Sequence, residues 1–252
     1  MGTMKKIVYV GLVGLMLVTA ACQSKKRQSA ASMASRDAEA MFVEKIQPQY
    51  AEGFQVKYEN GICLLDIQDP QKAESQSFHY VLIPKGTEVE KLPEGYTPIE
   101  VPVKCVICMT SLQLSNFIKL DEMERVVGIT STRHLFNEEM KRRLKEGLTH
   151  KIGIEGNFDN EVIMGVNPDV ILISPFKRGG YDALKDVGIP LIPHLGYKEM
   201  TPLGQAEWVK FVGLMTGTEK KANACFAEIE KKYNTLKQQA SEVKERPVVF
   251  SG

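Results

Sequence analysis

The sequence predicts an α/β fold in which an N-terminal lobe is built on a mostly parallel sheet. Between residues 104 and 200, short apolar runs typical of buried strands alternate with segments typical of helices. Strands and helices that alternate at this spacing form a parallel sheet with helices on both faces. A small β-rich extension at 41–103 precedes the lobe, and a helical backbone at 201–245 follows it.

The elements of the lobe follow one another closely. The clearest unit is 159–174, where a short helix, a turn at Asn167-Pro168-Asp169 and a buried strand occur in succession. Apolar runs predict strands near 105–109, 126–130, 151–154, 170–174 and 190–193. Helices are predicted near 115–122, 137–146, 160–165 and 181–187. Binding loops of such sheets lie at the carboxyl ends of the strands, so the loops after these strands are candidates for ligand contacts.

The extension has the pattern of antiparallel strands. Residues 54–67 alternate around Asn60-Gly61, which predicts a hairpin because both turn residues tolerate positive φ. Residues 78–83 and 97–103 continue the pattern. His79 stands between two aromatic residues of a predicted strand, so we expect a packed or half-exposed histidine and not a ligand.

A long helix is predicted after Gly217-Thr218. Thr218 is expected to cap it with its side-chain oxygen, and Glu219 to favour the helix dipole. Apolar or small residues recur every three or four positions from Ala222 to Val243 and form one stripe. The segment 219–245 would be about 40 Å long. A coiled coil is the alternative, but a spine packed against the chain's own domains better explains a helix that follows an α/β lobe.

The N-terminus has the pattern of a lipoprotein signal peptide. Two lysines precede the apolar run 7–21, which is too short for a comfortable membrane span but suits a signal-peptide core. Small residues then precede Cys22, and this resembles the lipobox of bacterial lipoproteins, in which the cysteine is lipidated and becomes the first mature residue. The alternative is a simply cleaved signal peptide with Cys22 incidental. Residues 23–40 are expected to form a flexible tether.

Composition and motifs exclude several classes of function. The 252 residues are 43% hydrophobic and 25% charged with a formal charge of +1, which favours a globular protein with a sizeable core and gives no sign of a nucleic-acid partner. Cys105 and Cys108 form a C-x-x-C, but positions three apart on a strand face opposite sides, so we expect buried strand cysteines and no metal site. The sequence lacks the hydrolase elbow, the P-loop, the His-Glu-x-x-His motif and a Gly-x-Gly-x-x-Gly after the first strand, so no enzyme is predicted.

Several segments, in order and spacing, resemble a known family. Residues 124–130 match its second strand, 167–171 its Lys-Pro-Asp-Leu-Val motif, 188–192 its Gly-Ile-Pro-Val-Val strand, and 211–217 its Leu-Gly-x-Leu-Thr-Gly lead into a long helix. From residue 104 onward the chain therefore resembles the bacterial periplasmic binding proteins that deliver iron-siderophores, haem or cobalamin to ABC importers.

The resemblance implies two lobes joined by the helical backbone, with the ligand held between them. Residues 246–252 look like the first strand of a second lobe, so the sequence is expected to be a fragment of a longer protein or a truncated reading frame. Asp121 departs from the family, which has Gly there; aspartate tolerates the left-handed conformation, so the loop is affected and not the fold.

Ligand contacts are expected on the loops after the core strands. The candidates are polar, cationic or aromatic residues of these loops: Thr110, Ser111, Arg133, His134, Lys177, Arg178, Tyr181, His194 and Tyr197. The cations suit acceptors on ferric siderophores, haem propionates or the periphery of cobalamin. Lys177 and Arg178 as solvated loop charges, and His194 as a structural histidine, are the alternatives.

The resemblance further implies that Glu161 docks onto arginines of the permease; an exposed carboxylate at a helix start is the alternative. The expected function is the substrate-binding component of an ABC importer for a ferric siderophore or haem, anchored to a bacterial membrane by lipid and facing the periplasm or the cell exterior. The resemblance implies no cofactor apart from this transported ligand. Cobalamin is the alternative ligand, and a non-transport surface lipoprotein is the alternative of another class.

Overall fold

The structure is a computed structural model, and it describes residues 42–72, 77–130, 135–154, 156–174, 181–244 and 248. The extension forms a four-stranded sheet. Its strands, which lie side by side in chain order, are β1 (Phe54–Glu59), β2 (Ile62–Ile67), β3 (Phe78–Pro84) and β4 (Thr97–Val101). The first three strands are antiparallel, and β4 runs parallel to β3. Asn60 and Gly61 have φ values of 50° and 78°, which confirms the predicted hairpin.

The strands after β4 are β5 (Val106–Cys108), β6 (Val126–Ile129), β7 (His150–Lys151), β8 (Gly153–Ile154), β9 (Asn157–Phe158), β10 (Val170–Ile173) and β11 (Leu191–Pro193). Five of them form the parallel sheet of the lobe, in the order β11-β10-β5-β6-β7. The predicted α/β class with a parallel sheet is confirmed. The single strand predicted at 151–154 is wrong, because Gly153, with φ of 92°, turns the chain into the separate β8–β9 hairpin.

The helices in chain order are α1 (Ser111–Lys119), α2 (Glu138–Lys145), α3 (Asn160–Val166), α4 (Asp182–Lys185), α5 (Pro202–Thr216) and α6 (Glu219–Glu242). Short 3₁₀ helices occupy Met123–Arg125 and Gly196–Lys198. The first helix starts earlier than the predicted residue 115, because Thr110 caps it. Asp121 has φ of 51°, so the left-handed loop expected at this position is present.

Helices cover both faces of the parallel sheet, so β10 alternates between two cores. Val170 and Leu172 join the core beneath α1 and α5, whereas Ile171 and Ile173 join the core beneath α3 and α4. Alternate side chains of a strand point to opposite faces, and a sheet buried on both sides is therefore apolar at every position. This agrees with the continuous apolar run predicted for the strand.

The extension shares one core with the lobe. Phe54 of β1 packs against Trp208 and Phe211 of α5, with ring centroids 5.0 and 5.9 Å apart. Tyr80 of β3 donates its hydroxyl hydrogen to the carbonyl of Leu191 at 2.6 Å, which satisfies an acceptor in the strand at the end of the parallel sheet. The extension therefore packs as part of the lobe's hydrophobic core.

Two carboxylates, the buried Glu207 and the half-buried Glu199, hold the segment 42–53, which we call the strap, against α5 and the turn before it. Glu207 accepts hydrogen bonds from the amides of Gln49, Tyr50 and Ala51 at 2.7 to 3.0 Å. Glu199 accepts hydrogen bonds from the amide of Gly53 at 2.9 Å and from the indole nitrogen of Trp208 at 2.8 Å. The strap is thus fixed to the lobe by charged acceptors that were not predicted from the sequence.

Helix α6 packs only along its first part. Ala222 and Phe226 are buried in the shared core, but Leu236 is 64% exposed and Val243 is 52% exposed. The second half of the apolar stripe is exposed because the helix extends beyond the lobe, and the packing of the whole stripe against the chain's own domains stays a prediction. The predicted side-chain cap at Thr218 is wrong, since its hydroxyl lies 2.8 Å from that of Thr216 and makes no capping bond.

Within the described residues, no helix has both the length and the apolar character that a membrane span requires.

Glu219, the first residue of α6, should make stability depend on pH. Burial raises the pKa of its carboxyl group from 4.5 to about 6, so folding favours the protonated acid. This contribution to stability is present below the unfolded pKa and is lost as pH rises through 6. We expect Glu219→Gln to raise the free energy of unfolding by about 1–2 kcal/mol at about pH 7.5 and to change it little at about pH 4. Urea denaturation at both pH values measures this effect. Glu228→Gln, at an exposed position of the same helix, is the control; a pH-independent difference between Glu219→Gln and wild type would contradict the prediction.

Candidate functional site

A pocket lies at the carboxyl ends of the neighbouring strands β5 and β6 of the parallel sheet. Its volume is about 210 Å³. It is lined by the ends of the strands and by the residues that follow them: Cys108, Met109, Thr110, Ser111, Leu114, Ile129, Thr130 and Leu135. In an open parallel sheet, ligands bind at this edge, so the pocket is at the position predicted for the site.

A reciprocal hydrogen-bond pair fixes the pocket loop after β5. The Thr110 hydroxyl accepts a hydrogen bond from the Gln113 amide at 3.4 Å, and the Gln113 side-chain oxygen accepts one from the Thr110 amide at 3.1 Å. Together these bonds form a capping box at the start of α1. Thr130 donates its hydroxyl hydrogen to the Met109 carbonyl at 2.7 Å, which joins the loops after β5 and β6. Hydrogen bonds therefore hold the backbone at the floor of the pocket in place.

The pocket wall combines apolar side chains with hydroxyl groups. Thr110, Ser111 and Thr130 contribute hydroxyls, while Leu114 and Leu135 contribute apolar surface. Burial raises the pKa of the Cys108 thiol far above its usual range, so this thiol is uncharged and a poor nucleophile. Such a wall can bury the body of an organic ligand and orient it by hydrogen bonds. No cluster of three or more metal-ligating side chains occurs in the part of the chain that the structure describes.

Polar side chains are buried behind the pocket. Gln113 donates a hydrogen bond from its side-chain nitrogen to the Ser174 hydroxyl at 3.4 Å, at the end of β10. The Asn116 side-chain nitrogen lies 3.0 Å from Nε2 of His194, at the end of β11. All four side chains are buried. The helix that begins at the pocket is thus connected to the ends of two further strands of the sheet.

His194 is a core residue in this structure. Its side chain is 1% exposed, and its ring lies 4.6 Å from that of Trp208 and 5.7 Å from that of Phe211. Burial lowers the pKa of the imidazole from 6.5 to about 3, so the ring is neutral at physiological pH. The structure thus places His194 in the core and not on the pocket wall, and its contact with ligand stays a prediction.

The other predicted contacts divide between the wall and its support. Thr110 and Ser111 line the pocket. Tyr181 is buried: its ring stacks on Phe158 at 5.9 Å, and its hydroxyl accepts a hydrogen bond from the Ser174 amide at 3.3 Å. Tyr197 is half-buried against the shared core. Neither tyrosine belongs to the pocket lining, because packing against the cores determines the position of both rings.

Five predicted functional residues, Cys22, Arg133, His134, Lys177 and Arg178, lie outside the described residues. The structure therefore leaves these five as predictions. Glu161 is described, and it is exposed in the first turn of α3, whose cap is Asp159.

The ligand contacts predicted from the sequence do not include Gln113, Thr130, Leu135 or Ser174. The pattern Thr110-x-x-Gln113 is a capping-box signal that could have identified the start of α1 and the buried amide. No local signal predicts the contact between Thr130 and Met109, which depends on the pairing of β5 with β6.

Residues 106–252 match the model of a family described as periplasmic binding proteins. The chain belongs to this family. The match begins at β5 and so covers the pocket, the parallel sheet and both long helices. The extension that precedes residue 106 lies outside the matched part of this periplasmic binding protein.

Two curated relatives are lipoproteins of Methanocaldococcus jannaschii. The chain is 28% identical over 153 residues to "Uncharacterized lipoprotein MJ0878", with 56% of this chain and 36% of the relative covered. It is 23% identical over 260 residues to "Uncharacterized lipoprotein MJ0872", with 95% and 64% covered. The chain thus spans about one third and about two thirds of the lengths of these relatives.

Solved structures show similarity to part of the chain. SirA of Staphylococcus aureus complexed with staphyloferrin B is 24% identical with a TM-score of 0.39, covering 54% of this chain and 43% of that one. The iron-uptake substrate-binding protein PiuA of Streptococcus pneumoniae is 14% identical with a TM-score of 0.46, covering 57% and 50%.

Proposed function

We propose that this periplasmic binding protein is the substrate-binding component of an ABC importer and that it binds a ferric siderophore or haem. The observation that carries the proposal is the pocket at the carboxyl ends of β5 and β6, within the part of the chain that matches the family. Its wall of apolar and hydroxyl groups suits an organic chelate that is bound and released unchanged. Cobalamin is the alternative ligand.

We assign ligand contacts from the position of each residue along the chain. Thr110 and Ser111 belong to the pocket wall. Arg133 and His134 follow β6, and Lys177 and Arg178 follow β10, the two strands that flank β5. Arginine presents a planar donor fork that matches carboxylate and hydroxamate acceptors, so we assign these cations to the anionic periphery of the ligand.

The buried aromatic residues have a supporting role in this proposal. Tyr181 and His194 are buried, and Tyr197 packs against the shared core. We therefore assign all three to the layer that supports the pocket loops, and any contact with ligand would require these loops to move. This assignment separates them from the hydroxyl groups on the pocket wall.

Anchoring and docking complete the proposal. Lipidation of Cys22 would hold the protein on a bacterial membrane, facing the periplasm or the cell exterior, and both curated relatives carry the name lipoprotein. Glu161 is exposed at the start of α3 and is free to meet arginines of a permease. Exposed charge pairs of this kind supply orientation more than affinity.

Native mass spectrometry of the full-length protein, purified from membranes of its host, tests the proposed ligand. We expect a bound mass that contains iron and is lost on denaturation, because a pocket that buries most of a ligand retains it through purification. A mass that contains cobalt would support cobalamin instead. Recovery of an empty protein that also fails to bind haemin, a ferric tris-catecholate and a ferric tris-hydroxamate would contradict the proposal.

A further inference from the structure

Two buried amide side chains lie on one face of α1, directly behind the pocket. Gln113 is fully buried, and Asn116 is 8% exposed. Residues three apart in a helix are neighbours on its surface, so both amides point towards the same part of the sheet. Burial of an amide costs free energy unless its hydrogen bonds are made. The contacts of these two residues therefore indicate what the amides hold in place.

Gln113 joins the end of β5 to the end of β10. Its side-chain oxygen accepts hydrogen bonds from the consecutive amides of Met109 and Thr110, at 2.7 and 3.1 Å. Its side-chain nitrogen donates to the Ser174 hydroxyl at 3.4 Å. Met109 and Thr110 belong to the pocket wall, whereas Ser174 is the last described residue before 175–180. One side chain thus bonds both to the pocket loop after β5 and to the residue that follows β10.

Asn116 joins the same helix to the end of β11. Its side-chain nitrogen lies 3.0 Å from Nε2 of His194. The backbone amide of His194 in turn donates to the Ile173 carbonyl of β10 at 2.9 Å. The imidazole is buried between Trp208 and Asn116, so its position is determined by the core and not by solvent.

We propose that Gln113 and Asn116 are positioning residues that hold the ends of β5, β10 and β11 in one arrangement and thereby set the affinity of the pocket. The proposal rests on the proposed function, because it assigns the pocket to ligand binding. Hydrogen bonds made by a buried polar side chain specify one geometry, whereas an apolar side chain of the same size could fill the space without holding the loops. Affinity should therefore respond more strongly than stability to the loss of these amides.

Gln113→Met in the full-length protein is the principal test, since methionine matches the length of glutamine and lacks its donor and acceptor. We expect hydrogen exchange at the amides of Met109 and Thr110 to become at least about tenfold faster, because both lose their acceptor, while exchange in β2 is unchanged. Affinity for haemin or a ferric tris-catecholate, followed by Trp208 fluorescence, should fall by about tenfold to a hundredfold.

Matched variants separate positioning from a purely structural role. Gln205→Met makes the same change at an exposed position of α5 and should alter neither exchange nor affinity. Gln113→Glu keeps an acceptor for the two loop amides and should restore most of the affinity. Ser174→Ala removes only the contact to β10 and should cause a smaller loss, which also provides a test if Gln113→Met fails to fold.

Each outcome is decisive for one of the two proposals. Unaltered exchange at Met109 and Thr110 in Gln113→Met would overturn the positioning role, as would faster exchange spread evenly over β2 and the lobe. Unaltered probe affinity beside faster loop exchange would also overturn it. If the wild-type protein binds neither of these probes nor a ferric tris-hydroxamate, the proposed ligand class fails, whereas the exchange measurements still decide whether Gln113 holds the loop.

Discussion

Glu207→Ala is expected to lower the free energy of unfolding by about 3–5 kcal/mol, the range for breaking a buried ion pair by removing one partner. The Glu207 carboxylate is fully buried and lies 2.7 Å from the Lys210 ammonium. It also accepts hydrogen bonds from the backbone amides of Gln49, Tyr50 and Ala51. Alanine leaves a buried cation and three strap amides without this acceptor. Urea denaturation followed by circular dichroism measures the loss.

A double variant identifies the source of this loss. In Glu207→Ala/Lys210→Met the unpaired cation is also removed, so the double variant should be more stable than Glu207→Ala alone. Glu242→Ala, at an exposed position of α6, is the control and should change the unfolding free energy by less than about 0.5 kcal/mol. A loss below about 1 kcal/mol for Glu207→Ala would contradict the strap geometry, because that is the range for an exposed charge pair.

Trp208→Ala should cost about 3–5 kcal/mol of unfolding free energy, as expected when a large aromatic residue is removed from a core. Trp208 is fully buried, and its ring contacts those of Phe54, His194 and Phe211 at 4.6 to 5.2 Å. Its indole nitrogen donates to Glu199 at 2.8 Å. The substitution leaves a cavity between the extension and the lobe, so both should lose stability together. Thermal and urea denaturation report the change.

Two further substitutions test whether the loss of stability in Trp208→Ala comes from removing a buried ring. Trp208→Phe retains most of the buried ring and should cost less than Trp208→Ala. Phe136→Ala removes a ring that is 80% exposed and should change stability by less than about 0.5 kcal/mol. Two separate unfolding transitions, with only the second shifted by Trp208→Ala, would show that the extension is independent of the lobe and would contradict the shared core.

The shared core gives the extension a structural role beside the pocket. Its strap is bonded to Glu207 and Glu199, and Phe54 contacts the same tryptophan that packs on His194. His194 in turn contacts Asn116 of the helix that begins at the pocket. The extension therefore supports the core behind the pocket, although it lies before the part of the chain that matches the family.

Local sequence signals determined much of the fold. Asn60-Gly61 specified a hairpin because both residues adopt positive φ, and Gly217 likewise separates the two long helices with φ of 74°. Continuous apolar runs identified β5, β6, β10 and β11, because strands buried on both faces have no polar side. The position of the pocket followed from topology, since parallel strands place their carboxyl ends at one edge of the sheet.

The tertiary structure decided which polar residues are buried and what they hold. Glu207 and Lys210 look like exposed positions of α5 in the sequence, yet the strap, which lies more than 150 residues earlier in the chain, covers them. Asn116 and His194 are likewise 78 residues apart and meet only through the packing of α1 on the sheet. Periodicity and capping patterns report interactions within a few residues, whereas burial of these groups depends on long-range packing that no local pattern encodes.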